Sequence, residues 1–213
     1  MRLEPSTQRG QRRREELLAA AQAVFERAGY FDTRVADIVE LAHASQGTFY
    51  TYFDSKDDVL RSLVDRMVED LYAASEVPTL DEREPFAHLE ASIRQFMIAY
   101  KANAKMMRIL DQVVTFSDDF RATRLEIMQR FNARIEGAIR ALQARGEGDP
   151  DLDARHAAHV LGGMVSECAF ALYVLRQDLD EAVAISTMAR IWATSVGIPV
   201  GQPESQRARR LRA

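Results

Sequence analysis

The 213-residue chain is 47% hydrophobic with a formal net charge of −4 at pH 7. It can form one large domain or two small ones around a real core, and as a whole it is not a basic coat for nucleic acid. A single cysteine, Cys168, excludes an intrachain disulfide, suits a reducing cytosol and reads as a small buried hydrophobe. No stretch approaches the roughly 18 consecutive apolar residues of a membrane span. The basic N-terminus runs into Glu15 and Glu16, not into an apolar signal core. The expectation is a cytoplasmic protein with no membrane partner.

In chain order, Arg2, Arg9, Arg12, Arg13 and Arg14 face only Glu4 within residues 1–14 and make a basic arm. Leu17, Leu18, Ala21, Val24, Phe25 and Ala28 then form a helical stripe that Gly29 ends. Thr33 reads as the N-cap of a short second helix with Val35, Ile38, Val39 and Ala42 inward. Ser45 caps a third helix. Ser55 caps a fourth, over about 56–75, with Asp57 and Asp58 suited to its first turn. The fourth helix's stripe, from Val59 to Leu71, is too wide for one neighbour.

The third helix is unusually aromatic. Phe49 and Phe53, at i and i+4, share one face as an anchor, while Thr48 and Tyr50 fall on another. Helices two and three must cross steeply, and Ala42, Ala44 and Gly47 supply the small residues needed where they touch. Gly47 lowers helix stability, which close approach of a protein or phosphate backbone would justify. Together these segments make a three-helix unit ending in a helix-turn-helix.

Gly29-Tyr30, Thr33, Val35, Asp37-Ile38, Ala42, Ser45, Gly47-Thr48-Phe49-Tyr50, Phe53, Ser55-Lys56 and Val59-Leu60 stand in order and without gaps. In this, residues 12–60 resemble the TetR/AcrR family of bacterial transcriptional regulators. The chain departs from the family pattern at His43, where the turn usually has glycine, at Val39 and Leu41, where alanine is common, and at Asp54, where proline is frequent. Histidine is one of the residues more tolerant of positive φ.

The resemblance implies a DNA-binding role for Thr33, Arg34, Ser45, Gln46, Gly47, Thr48, Tyr50, Thr51, Tyr52 and Lys56. Gln46 and Thr48 are the candidates for base edges. Tyr50 and Lys56 are candidates for phosphates, Lys56 at a helix N-terminus, and Thr33 and Arg34 can hold another phosphate. Arg9 to Arg14 can add salt-dependent attraction. Tyr52 can equally pack on the fourth helix. Glu26, Asp32, Asp37, Glu40, Asp54, Asp57 and Asp58 must then face away from the duplex.

Pro78 and Pro85 bracket a charged linker. Helical periodicity resumes over about 85–102, 104–116, 118–145, 152–177 and 180–196, with a loop at 147–150. No segment alternates with period 2. The predicted fold is all-α, with about nine helices. An N-terminal arm and helix-turn-helix DNA-binding domain takes residues 1–56. A C-terminal helical ligand-binding and dimerisation domain takes 57–198, with 57–76 as connecting helix. A basic tail at 199–213, with Arg207, Arg209, Arg210 and Arg212, is expected to be disordered.

The resemblance assigns effector binding and dimerisation to the C-terminal half. The last two helices hold more apolar surface than one chain easily covers, so pairing with a second copy into a four-helix bundle is expected. Gly162-Gly163 suggests a close crossing or room beside a ligand. Phe96, Tyr100, Met107, Leu110, Phe131, Met164 and Phe170 can line a pocket for an unknown apolar or amphipathic effector, with Glu167 as polar handle or rim residue.

Enzymatic signatures are missing: no Gly-rich phosphate loop, no nucleophile elbow, no Cys/His cluster at metal spacing. His156 and His159 have no third ligand nearby and read as solvent or capping residues. The expectation is no enzyme, no cofactor and no metal. The function implied is a ligand-responsive repressor that binds pseudo-palindromic operator DNA as a homodimer. The alternative is a helical dimeric protein-interaction module whose helix-turn-helix is not used on DNA.

Overall fold

The computed structural model describes residues 7–75 and 85–200. Among them are eight α-helices and no strand: α1 Gln8–Ala28, α2 Val35–Leu41, α3 Gln46–Tyr52, α4 Lys56–Ala74, α5 Pro85–Val113, α6 Asp118–Ala144, α7 Ala154–Tyr173 and α8 Glu181–Val196. Arg2, most of the linker after Ser75 and the basic residues of the tail lie outside the described residues.

The helix count corrects the expected nine. The helices expected over 85–102 and 104–116 are one, α5. Neither Asn103 nor Ala104 breaks a helix, and the buried positions Met97, Tyr100, Met106, Met107 and Leu110 continue across that point. The chain turns only after Val113, whose carbonyl accepts from the amides of Phe116 and Ser117.

The basic arm is helical from Gln8. Thr7 caps α1 by accepting from the Gly10 amide at 3.1 Å. Arg12 and Arg13 both pair with Glu16 one turn on, the spacing that supports a helix. A second correction moves the N-cap of α2 from Thr33 to Arg34, whose amide donates to the Asp37 carboxylate at 2.8 Å. Thr33 is buried instead, its hydroxyl donating to the Gly29 carbonyl at 2.6 Å. Gly29 closes α1 at φ 82°, a conformation that favours glycine.

The chain divides into two compact units: Met1–Leu71 with Asn103–Leu125, and Tyr72–Ala102 with Glu126–Ala213. The core of the first includes Leu17, Leu18, Val24, Phe25, Ile38, Phe49, Phe53 and the α4 stripe Val59, Leu60, Leu63, Val64, Met67, Val68 and Leu71. In the second, Ile139 of α6 meets Ala154, Ala157, Ala158 and Leu161 of α7, and Ala193 and Val196 of α8. Small residues there let helices approach. A side chain at Gly162 would meet Asn132 Oδ1 at 3.1 Å and Ile135 Cδ1 at 3.2 Å, whereas Gly163 is exposed and open.

Candidate nucleic-acid interface

The first unit holds α3 by one aromatic face. Phe49 and Phe53 are buried with ring centroids 5.7 Å apart, and the Arg14 guanidinium lies 5.2 Å from the Phe53 ring. Phe49 has a second ring neighbour in Tyr50, edge-on at 5.3 Å, yet Tyr50 remains 45% exposed. Gln46, Gly47 and Thr51 are exposed too, while Thr48 and Tyr52 are half-buried.

Short polar bonds fix the same helix. The Ser45 hydroxyl accepts from the Thr48 amide at 3.0 Å and lies 2.9 Å from the Thr48 hydroxyl. Thr51 donates to the Gly47 carbonyl at 2.9 Å. Among the described residues, a Cβ on Gly47 would meet only Ser45 Oγ, at 3.7 Å, an ordinary contact that does not require glycine there. That overturns Gly47 as a protein-contact point in the α2–α3 crossing.

The turn before α3 places His43 at φ 48°. The Ala44 amide donates to Val39 O at 2.9 Å, and the Arg13 guanidinium reaches the carbonyls of Ala42 (3.2 Å) and His43 (2.8 Å). Arg14 donates to Ser62 Oγ at 3.2 Å. Two of the arm's arginines therefore brace the unit internally.

Lys56 has a similar internal duty. Its ammonium donates to the carbonyls of Tyr30 (2.7 Å) and Thr33 (2.9 Å) and lies 4.1 Å from the Tyr30 ring centroid. Burial lowers its pKa, against the opposing pull of Asp57 and Asp32. Tyr30 in turn donates to the Asp57 carboxylate; burial first, then that bond and charge, raise the phenol pKa above its ordinary value. Thr33 and Lys56 thus clamp the α1–α2 turn to α4, and the Lys56 ammonium is occupied by carbonyls. Arg34 is exposed beside them.

Several flanking acids are likewise engaged. Asp37 accepts from Arg34, Asp58 accepts from the Asp54 amide at 3.1 Å, and Glu26 pairs with Lys105 at 3.1 Å. A recess of about 430 Å³ in this unit is walled by Tyr30, Phe31, Phe116 and Phe120, with Asp57 and Asp119 among its lining. None of the eight residues proposed for an effector pocket lines it.

Those eight are divided. Met107 and Leu110 belong to the first unit and are buried, whereas the other six belong to the second. In the second unit a run of aromatic rings passes from Tyr72 to Phe131 (5.4 Å), Phe96 (6.0 Å), Tyr100 (5.9 Å) and Tyr173 (6.3 Å). Met164 and Phe170 are half-buried, and Glu167 is exposed, outside the packed side of α7. Cys168 is half-buried rather than fully so.

Tyr72 and Tyr173 escaped the sequence reading. Tyr173 stands one turn beyond Phe170, a signal that periodicity offered; Tyr72 sits at the end of α4, where nothing local marks it. The buried Tyr173 hydroxyl has no hydrogen-bond partner among the described residues. Burial, followed by the nearby Glu181 carboxylate, pushes its pKa up to about 12. His156 joins its capping residue Asp153 at 2.7 Å, and His159 Nδ1 lies 3.3 Å from Asn132 Nδ2.

Residues 17–63 match the family model for bacterial regulatory proteins of the tetR family, and residues 89–197 match that of the C-terminal domain of the transcriptional regulator EthR. The chain is 29% identical over 192 residues to the HTH-type transcriptional regulator EthR of Mycobacterium tuberculosis, covering 88% of each. Its fold is similar to that of a TetR-family transcriptional regulator from Syntrophomonas wolfei (TM-score 0.73, 20% identity, 90% of this chain and 98% of that one). It is also similar to SmeT in its triclosan complex (TM-score 0.72, 20% identity, 91% of this chain and 100% of that one).

Proposed function

Since the chain belongs to the tetR family of bacterial regulatory proteins, and so is a DNA-binding transcriptional regulator and not an enzyme, we propose that it is a homodimeric repressor released from a pseudo-palindromic operator by a small apolar or amphipathic effector. The observation that carries this reading is the two-sidedness of α3: Phe49 locked in the core, Gln46, Gly47, Tyr50 and Thr51 turned outward. A helix so anchored offers amide and hydroxyl groups to base edges and phosphates without unpacking. Residues 1–56 then read DNA, and residues 57–198 bind effector and pair, in the cytoplasm.

Dimerisation through α7 and α8 is supported by their uncovered apolar side chains. Val160 is 66% exposed, Val183 63% and Ile191 48%. A twofold copy would cover them and set two α3 helices in successive major grooves. The effector reading is supported by the aromatic run from Tyr72 to Tyr173, whose rings suit an apolar molecule, and by the triclosan bound to the structurally similar SmeT. Effector and operator must then weaken one another equally.

The test is selection from random duplex DNA by the purified full-length chain at low salt. An enriched inverted repeat is expected. No enrichment would leave the helix-turn-helix without a DNA role.

A further inference from the structure

We infer that Arg13 is a positioning residue for DNA recognition: its guanidinium fork holds the α2–α3 turn in the left-handed conformation at His43 and thereby fixes the pose of α3. This rests on the reading that α3 contacts DNA.

The turn has a conformational problem. His43 sits at φ 48°, a region that strains any residue with a Cβ. The turn's own bonds, from the His43 amide to Glu40 O at 3.1 Å and from the Ala44 amide to Val39 O at 2.9 Å, close this conformation without removing its strain, and α3 begins three residues later. The carbonyls of Ala42 and His43 also lie at and just past the end of α2, where its ladder no longer supplies amides. Arg13 answers both. Nη1 donates to Ala42 O at 3.2 Å and Nη2 to His43 O at 2.8 Å, so a single planar group grips the carbonyls of two consecutive residues. Nη1 also meets Glu16 Oε2 at 2.6 Å, which orients the guanidinium from within its own helix. The side chain is only 29% exposed. With both terminal nitrogens engaged, Arg13 acts on DNA through the turn and not as a phosphate contact, although it lies within the run Arg12-Arg13-Arg14.

The test uses the full-length protein, a duplex that the wild type has enriched from random DNA, and two substitutions. Arg13→Met removes the fork but keeps the apolar stem; His43→Gly removes the need for it. Arg13→Met should weaken the duplex on the order of tenfold with an unchanged salt slope. Adding His43→Gly should restore affinity to within about threefold of wild type, because glycine holds positive φ without a brace. In the free protein, amide exchange at Ala42, His43 and Ala44 should accelerate in Arg13→Met and slow again in the double variant. Should Arg13→Met not fold, Arg13→Lys keeps the charge but replaces the planar two-nitrogen fork with a single nitrogen on a flexible stem, and the same changes are expected at smaller size.

Wild-type affinity in the single variant would overturn the inference. So would a salt slope reduced by about 0.9, the mark of a lost phosphate contact, or a loss that His43→Gly does not rescue. If the wild type enriches no duplex, the DNA reading fails. The exchange measurement needs no DNA and still decides the brace.

Discussion

Helix α3, of 7 residues, has one buried anchor and is otherwise fixed by directional bonds, whereas α7, of 20 residues, is secured by a long packed side. Ser45, Thr51, Arg13 and Lys56 each hold a named carbonyl or amide in or around the helix-turn-helix. The buried side of α7 is instead Ala154, Ala157, Ala158, Leu161, Val165 and Ala169, with half-buried Met164 and Phe170 beside it. Directional bonds specify one geometry and fail when it shifts. Packed alkyl, thioether and aromatic groups tolerate rearrangement around a guest. A reader of a fixed groove needs the first, and a sensor of an adaptable ligand needs the second.

The strongest challenge to this contrast is removal of the anchor on which α3's bonds depend. Phe49→Ala should cost about 3–5 kcal/mol, the usual range for a fully buried phenylalanine, measured by denaturant unfolding. Phe96, half-buried in the second unit, should cost clearly less when changed to alanine. Equal losses would erase the contrast.

Lys56→Met comes next. It removes the ammonium donor of the Tyr30 and Thr33 carbonyls, leaving Tyr30 O only the long bond from the Thr33 amide at 3.4 Å, and should lower stability by about 1–3 kcal/mol. The salt slope of DNA binding should stay as it is, since the ammonium is bound to carbonyls. A slope reduced by about 0.9 would instead make Lys56 a phosphate contact.

A matched pair of tyrosines sharpens the comparison at smaller scale. Tyr30→Phe removes a bond to Asp57 and should cost about 1 kcal/mol. Tyr173→Phe removes a hydroxyl with no partner among the described residues and should be neutral or stabilising by up to about 1 kcal/mol. Both phenols have pKa values raised above the ordinary 10.0. The folded state therefore keeps protons that the unfolded state loses, and stability present below pH 10 declines as pH rises through each folded value. For Tyr173 that window runs from 10 to about 12. Each Phe variant should lose its share of the alkaline decline; a decline as steep as wild type would assign the shift to other groups.

The same division explains what could be read from the chain before its fold. Gly29, Ser45 and Ser55 end or start helices through bonds to residues three or four positions away, and the i, i+4 spacing of Phe49 and Phe53 shows a shared face. Such signals are local. Arg13 reaches Ala42 and His43 across about thirty positions, and Lys56 reaches Thr33 across 23; no local pattern marks them, so both read simply as basic residues near DNA. The pocket list met the converse difficulty. Periodicity turned Met107 and Leu110 inward correctly, but it carries no information about which neighbours they meet, and they belong to the first unit. The uninterrupted α5 is missed for a related reason: the two expected ranges part at residue 103, while the apolar stripe continues through it.

The central claim is that α3 presents a fixed surface whose individual side chains read DNA. It is tested most directly by repeating the random-duplex selection with Thr48→Ala and Tyr50→Phe. Thr48→Ala should relax the preference at one base pair of each half-site, worth about 1–3 kcal/mol of discrimination, and leave the rest of the motif intact. Tyr50→Phe should weaken all sequences alike. An unchanged motif with Thr48→Ala would remove Thr48 as a reader and contradict the account.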